Sequence, residues 1–194
     1  RAYSLNKAIK ISKGELVACI DADSYVDPNI LMRMIPHFEK QSTGCVTPSL
    51  KVHNRKNFLE RLQEIEYMLN IFLRKTLSFI NSIHVTPGVF SVYRKKALID
   101  VGGFDENNLT EDMEIAIKLQ KKGYVIENEL DAISYTICPS NVKEFVKQRI
   151  RWYRGAIQNA LLHKDVFFKA KYGNFGIFFF PLNYISIISI ILVF

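Results

Sequence analysis

The chain has 194 residues, 48% of them hydrophobic and 23% charged. That length supports one domain with a sizeable core, and the balance excludes both a disordered chain and a pure membrane bundle. The formal net charge is +7, but Lys and Arg are spread along the chain rather than gathered on one aromatic-bearing face, so no nucleic-acid partner is expected.

Residues 3–13 carry Leu5, Ala8 and Ile9 ahead of Gly14, which predicts a short amphipathic helix with a glycine stop. Residues 16–20 are a continuous apolar run ending at Asp21, the pattern of a buried strand. Pro28 opens a predicted helix that runs to about Lys40. Residues 45–48 suggest a second strand. A long helix is predicted over 58–79, where Leu62, Ile65, Leu69 and Phe72 recur at helical spacing. After a loop at 85–88, residues 89–93 read as a strand and 95–101 as a short helix stopped by Gly102 and Gly103.

Thr110 is placed to cap a helix that Gly123 ends, and 124–127 and 132–137 read as two strands. Asn141 with Glu144 makes a capping-box pattern ahead of another long helix. In that helix Val142, Val146, Ile150, Tyr153, Ile157 and Leu161 form a stripe expected to face the core, with Gln148, Arg151 and Trp152 on another face. Alternating strands and helices predict an α/β fold with a mostly parallel sheet.

From Phe175 to Phe194 no residue is charged, and Lys164, Lys169 and Lys171 precede this stretch. It just reaches the ~20 residues a membrane span needs, and its basic flank favours the cytoplasmic side and anionic lipid. A buried or interfacial helix is the alternative. Residues 1–13 lack the apolar core of a signal peptide. Cys19, Cys45 and Cys138 are odd in number and lack metal-ligand spacing, which points to thiols in a reducing compartment. The four histidines also lack ligand spacing and read as structural, with His37 at the surface.

Three clusters carry possible chemistry. Asp21 and Asp23 follow a strand, where ligands bind in open α/β sheets, and two carboxylates two apart can hold a divalent cation on a diphosphate. A polar turn, or the nucleophile pair of haloacid-dehalogenase-like phosphatases, is the competing reading, although Tyr25 stands where those enzymes usually carry Thr. Glu111 and Asp112 either complement a helix dipole or supply a general base. On the Gln148 face, Arg151 can grip phosphate and Trp152 can stack on a sugar ring, or both can serve packing alone.

Taken in order, Asp21-Ala22-Asp23, Gly102-Gly103-Phe104 with Leu109-Thr110-Glu111-Asp112, and Gln148-Arg149-Ile150-Arg151-Trp152 resemble the processive inverting glycosyltransferases of family 2. That group includes the cellulose, hyaluronan, chitin and poly-N-acetylglucosamine synthases. Ser4-Leu5-Asn6-Lys7-Ala8 and Pro87-Gly88-Val89-Phe90-Ser91 are similar to further family segments, so the resemblance covers roughly residues 2–160. Gln63, Glu66 and Tyr67 also resemble a family pattern, with no chemistry assigned.

The resemblance implies a GT-A-like (Rossmann-like) mixed sheet flanked by helices over residues 1–162, a basic interfacial linker at 163–174 and the start of a transmembrane segment at 175–194. An earlier nucleotide-binding half is expected to be missing from this segment. The implied reaction is inverting transfer from a UDP-sugar, glucose or N-acetylglucosamine, to a growing glycan, assisted by Mg²⁺ or Mn²⁺. Asp112 would be the base and Asp23 the metal ligand. Asp21, Asp23, Gln148 and Arg151 would hold the donor, and Gly88, Phe90, Ser91, Glu111 and Trp152 the acceptor. The full-length protein would be a multi-pass protein of the cell membrane with a cytoplasmic catalytic domain. Single transfer to a lipid or protein acceptor, or a silent sugar-binding subunit, are the alternatives.

Overall fold

The computed structural model describes residues 1–193, and side chains through residue 186. Among these, β1 (Leu16–Ile20), β2 (Tyr25–Val26), β3 (Thr43–Val52), β4 (Phe90–Arg94) and β5 (Val125–Thr136) form one sheet in the order β1-β4-β3-β5-β2. The helices are α1 (Ala2–Ile11), α2 (Ile30–Met34), α3 (Phe58–Phe79), α4 (Lys95–Asp100), α5 (Glu111–Lys121), α6 (Val142–Leu162) and α7 (Phe180–Val193). Ile9, Leu98, Ile115 and Leu119 from α1, α4 and α5 pack with Cys45, Tyr93 and Ile126 on one face of the sheet. Ile30 and Met34 of α2 pack with Val46, Phe90 and Val92 on the other. All three cysteines are buried and free.

The sheet is mixed rather than mostly parallel. Only β3 and β5 pair in parallel, while β1–β4, β3–β4 and β2–β5 are antiparallel. The reason lies after α3. Residues 80–89 contain no regular helix or strand. This stretch carries the chain back before β4 begins, so β4 enters from the opposite end of the sheet.

Several predicted elements change in detail. The predicted buried strand is an edge strand with Ala18 and Ile20 exposed, because β1 pairs only with β4. The predicted helix at 28–40 is the short α2 followed by a 3₁₀ turn, Ile35–Glu39, since Pro36 brings no N–H to continue an α-helix. The two predicted strands at 124–137 are one strand, β5, whose register against β3 jumps from Pro48↔Glu129 to Ser49↔Ile133. The intervening residues are absorbed as a bulge.

The largest difference concerns the two long helices. Their limits follow the sequence pattern, but their apolar stripes do not face the core. Val142, Val146, Ile150, Tyr153, Ile157 and Leu161 of α6 are all exposed, whereas Gly155, Ala156 and Asn159 are buried. In α3, Leu62, Ile65, Leu69 and Phe72 are exposed and Glu60, Gln63 and Tyr67 are buried. Small residues let α6 approach closely: a Cβ on Gly155 would fall 2.4 Å from the Thr110 methyl. The apolar side is left uncovered.

Residues 175–193 form a π-helical turn, Phe175–Phe179, followed by the 14-residue α7. Among the described residues no helix is long and apolar enough to cross a membrane. At ~1.5 Å per residue α7 rises ~21 Å, short of the ~30 Å hydrocarbon core. The expected segment runs on to Phe194, which lies outside the described residues.

The start of α3 is fixed by a reciprocal cap. Asn57 Oδ1 accepts the Glu60 N–H at 2.9 Å, and Glu60 Oε2 accepts the N–H of Asn57 at 3.0 Å. Ser140 also donates to Glu60 at 2.7 Å, tying this cap to the entry of α6. These bonds, the Ser140 hydroxyl first, hold the Glu60 carboxyl down at about 2. At α6, Asn141 accepts the Glu144 N–H at 3.0 Å, and the expected return arm does not form. Replacing Asn57→Ala should cost ~1 kcal/mol in urea unfolding; an unchanged midpoint would show that the cap is dispensable.

Candidate active site

Asp21 and Asp23 leave the carboxyl end of β1, and Glu111 and Asp112 open α5. With Gly88 and the Gln148–Arg151–Trp152 face of α6, they line one cavity of about 720 Å³. Four segments distant in sequence are thus brought together at one cavity. Phe90 and Ser91 are not. Phe90 packs in the core beneath α2, and the Ser91 hydroxyl donates to the Pro87 carbonyl at 2.9 Å, so neither lines the cavity. Strand alternation sends their side chains into the protein while Pro87, Gly88 and Val89 form the wall.

Asp112 is held by its backbone. Its carbonyl accepts from the Thr86 N–H at 3.1 Å and the Thr86 hydroxyl at 2.8 Å, and Tyr93 donates to that hydroxyl at 2.9 Å. Its Oδ1 accepts the Met113 N–H at 2.9 Å. Burial, and next the Glu111 charge, raise its pKa to about 6, against the pull of Arg1 and Arg151. A carboxyl poised there is ionised at neutral pH and still basic enough to take a proton in a transition state. For stability the sign runs the other way. The native state holds this proton longer than the unfolded chain, so Asp112 destabilises the fold progressively as pH rises from 3.8 to about 6.

Arg1 occupies the centre of the acidic group, a role the sequence did not announce. Its guanidinium lies 2.7 Å from Asp21 and 3.0 Å from Glu111, and donates to the Gly88 carbonyl at 2.6 Å. A Cβ at Gly88 would sit 2.3 Å from Arg1 Nη1, so a side chain there would push the guanidinium aside. Burial raises the Asp21 pKa, and Arg1 opposes it.

Asp23 differs. It is exposed at the cavity edge and has no hydrogen bond or ion pair among the described residues. Among the described residues no group of three His, Cys, Asp or Glu gathers to hold a metal by itself. A single free carboxylate fits Mg²⁺ or Mn²⁺ only where substrate phosphates and water complete the shell.

On α6, Gln148 Oε1 is buried without a partner, and Arg151 is exposed with none among the described residues. Both are available to a ligand. Trp152 lies 4.3 Å from the Arg149 guanidinium, which pairs with both Glu66 oxygens at 2.7 and 2.6 Å. Glu66 and Arg149 thus hold the indole. Arg74 also lines the cavity. It forms no ion pair among the described residues and donates only a long 3.4 Å bond to the Pro48 carbonyl. Burial lowers its pKa to about 10. His84, whose ring lies tilted 4.8 Å from that of Phe179, has its pKa lowered to about 4 by burial and next by the Arg74 charge. His37, expected at the surface, bridges Glu127 and Glu129 at 3.0 and 2.8 Å away from this cavity.

If Asp112 is the base, kcat/KM should rise as pH passes through about 6. Glu111→Gln removes the neighbouring negative charge and should move that limb to lower pH. A limb that does not move would contradict the electrostatic account.

A family model described as "Glycosyl transferase family group 2" matches residues 16–194. The poly-beta-1,6-N-acetyl-D-glucosamine synthase of Staphylococcus aureus (strain COL) is 32% identical over 196 residues, covering 100% of this chain and 47% of that protein. Its counterpart in Staphylococcus epidermidis is 34% identical over 157 residues, covering 80% and 38%. The chain therefore spans about half the length of these relatives. Among solved structures, a mannosyltransferase from Pyrobaculum calidifontis in complex with GDP-Man and Mn²⁺ superposes with a TM-score of 0.70 at 20% identity, covering 91% of this chain and 47% of that one. S. aureus TarS 1-349 in complex with UDP-GlcNAc gives 0.51 at 18% identity, covering 73% and 40%. With the fold, the ordered clusters and these matches in agreement, the chain belongs to glycosyltransferase family 2.

Proposed function

We propose that this chain carries the base and acceptor side of an inverting enzyme that moves N-acetylglucosamine from UDP-N-acetylglucosamine to a growing polysaccharide. The observation that carries the reading is Asp112, raised to about 6 in a cavity it shares with the free Asp23 and Arg151. The choice of sugar is supported by similarity to the staphylococcal synthases.

In the reaction, an acceptor hydroxyl oxygen attacks the anomeric carbon from the face opposite the diphosphate. The new glycosidic bond forms as the bond to the UDP oxygen breaks, and the hydroxyl proton passes to the Asp112 carboxylate. Arg151 faces the charge that develops on the leaving diphosphate. Gln148 orients the donor, and Trp152 offers a ring face to the acceptor. A divalent ion at Asp23, when bound, would neutralise part of the diphosphate charge.

Attachment to a membrane is supported by the uncovered faces. The α3 and α6 stripes, with Ile177, Phe178, Leu182 and Ile185 beyond them, are exposed apolar surface. Lys143, Lys147 and Arg154 are exposed on α6 beside its stripe. Apolar stripes with basic borders suit the interface of an anionic bilayer. We read the full-length protein as a cell-membrane enzyme whose catalytic part faces the cytoplasm, with residues 175–194 beginning a transmembrane segment.

The test uses the full-length protein in membrane vesicles, given labelled UDP-N-acetylglucosamine, UDP-glucose or GDP-mannose. Long labelled polymer from the first donor alone, abolished by EDTA and restored by Mn²⁺ or Mg²⁺, is expected. Polymer from another donor would overturn the sugar assignment, a product of one fixed length the polymerising one, and full activity in EDTA the metal.

A further inference from the structure

The lower half of α6 makes contacts that the proposed reaction does not use. Thr110 precedes Glu111 and Asp112 but does not cap α5 with its side chain. Its hydroxyl instead accepts from Asn159 Nδ2 at 3.0 Å. Asn159 Oδ1 accepts from Asn108 Nδ2 at 2.8 Å, and Asn108 Oδ1 accepts the Thr110 N–H at 3.0 Å, which closes a ring of side chains. Asn159 is 0% exposed and Thr110 4%.

The neighbouring Gln158 grips the same loop. It donates to the Asn107 carbonyl at 3.2 Å and accepts the Leu109 N–H at 3.1 Å. Gly155 allows the contact, since a Cβ there would collide with Thr110 at 2.4 Å.

A buried amide with both ends satisfied is costly to disturb, and its partners fix one arrangement rather than many. Here the partners lie on either side of the site. Arg151 and Trp152 are two turns above Asn159 on one rigid helix, and Asp112 is two residues past Thr110. The latch therefore sets the distance between the base and the donor clamp.

We infer that Asn159, with Thr110 and Gln158, is a positioning residue that fixes the base turn against the Arg151–Trp152 helix. The inference rests on the base assignment made above. Neither Asn159 nor Gln158 touches the reacting atoms; each acts through the 107–110 loop.

The experiment compares Asn159→Ala, Thr110→Val, Thr110→Ser and the Asn159→Ala/Thr110→Val double variant in the full-length protein. Misplacement of a catalytic group by a fraction of an ångström to an ångström lowers rates by ~10–100-fold. Asn159→Ala and Thr110→Val should each lower kcat by about that factor, with donor Kd unchanged. Thr110→Ser keeps the hydroxyl and should keep most of the rate. The double variant should be no slower than the worse single one, because both remove the same latch.

Unchanged kcat, donor binding weakened in step with rate, or losses that multiply in the double variant would overturn the inference. Hydrogen exchange at amides 109–113 supplies a second readout that needs no turnover. Faster exchange confined to this turn in Asn159→Ala is expected, and unchanged exchange would overturn the latch. If Asn159→Ala does not fold, the Thr110→Val and Thr110→Ser pair decides. Asp112→Asn separates the two levels. If it transfers sugar at the wild-type rate, the base assignment fails, while the exchange result still judges the latch.

Discussion

The site depends on keeping one carboxylate out of bulk water without pairing it. Asp112 makes no ion pair among the described residues, yet Glu111 beside it is paired to Arg1 at 3.0 Å. Two adjacent acids would repel strongly in a poorly solvated pocket. Arg1 pairs with Glu111 and Asp21 and tempers, without removing, the push of Glu111 on Asp112. The backbone around Asp112 then has to be rigid. Thr86 and Tyr93 brace it from the sheet, and the Thr110 turn braces it from α6. Sheet order, the antiparallel entry of β4 and the close approach at Gly155 all serve that placement.

The same packing explains the uncovered surfaces. To bring Gln148, Arg151 and Trp152 to the cavity, α6 must present its polar and small-residue face inward. Its apolar stripe then points outward, and α3 does the same on its own side. Exposed apolar stripes of this length are unusual on a soluble monomer. They are the natural consequence of a cavity walled by amphipathic helices that turn their polar and small-residue faces inward.

Much of this was legible in the sequence. The limits of α3 and α6, the turn at Gly102 and Gly103, and the gathering of Asp23, Asp112 and Arg151 follow from caps, periodicity and motif order. The stripes were misassigned because periodicity identifies a face without naming what covers it. Phe90 and Ser91 lie off the cavity because the strand begins at Phe90 and buries both side chains, on opposite faces, while the preceding 87–89 segment forms the wall. Arg1, Arg74, Thr86 and Asn159 carried no local signal at all. Each acts on residues far along the chain, as Asn159 does on Thr110, 49 positions away. The family resemblance implied a mixed sheet, while strand and helix alternation pointed to a mostly parallel one, since strand direction is set by an irregular loop rather than by any strand's own sequence.

The central claim is that Asp112 accepts the acceptor proton. Its most direct test is a single-turnover measurement on the full-length protein with Asp112→Asn, at saturating UDP-N-acetylglucosamine and with donor binding measured in parallel. The account predicts donor binding close to wild type and sugar transfer reduced by ~10²–10⁴-fold, the usual worth of a general base. Transfer at the wild-type rate, or a loss explained wholly by weaker donor binding, would contradict it.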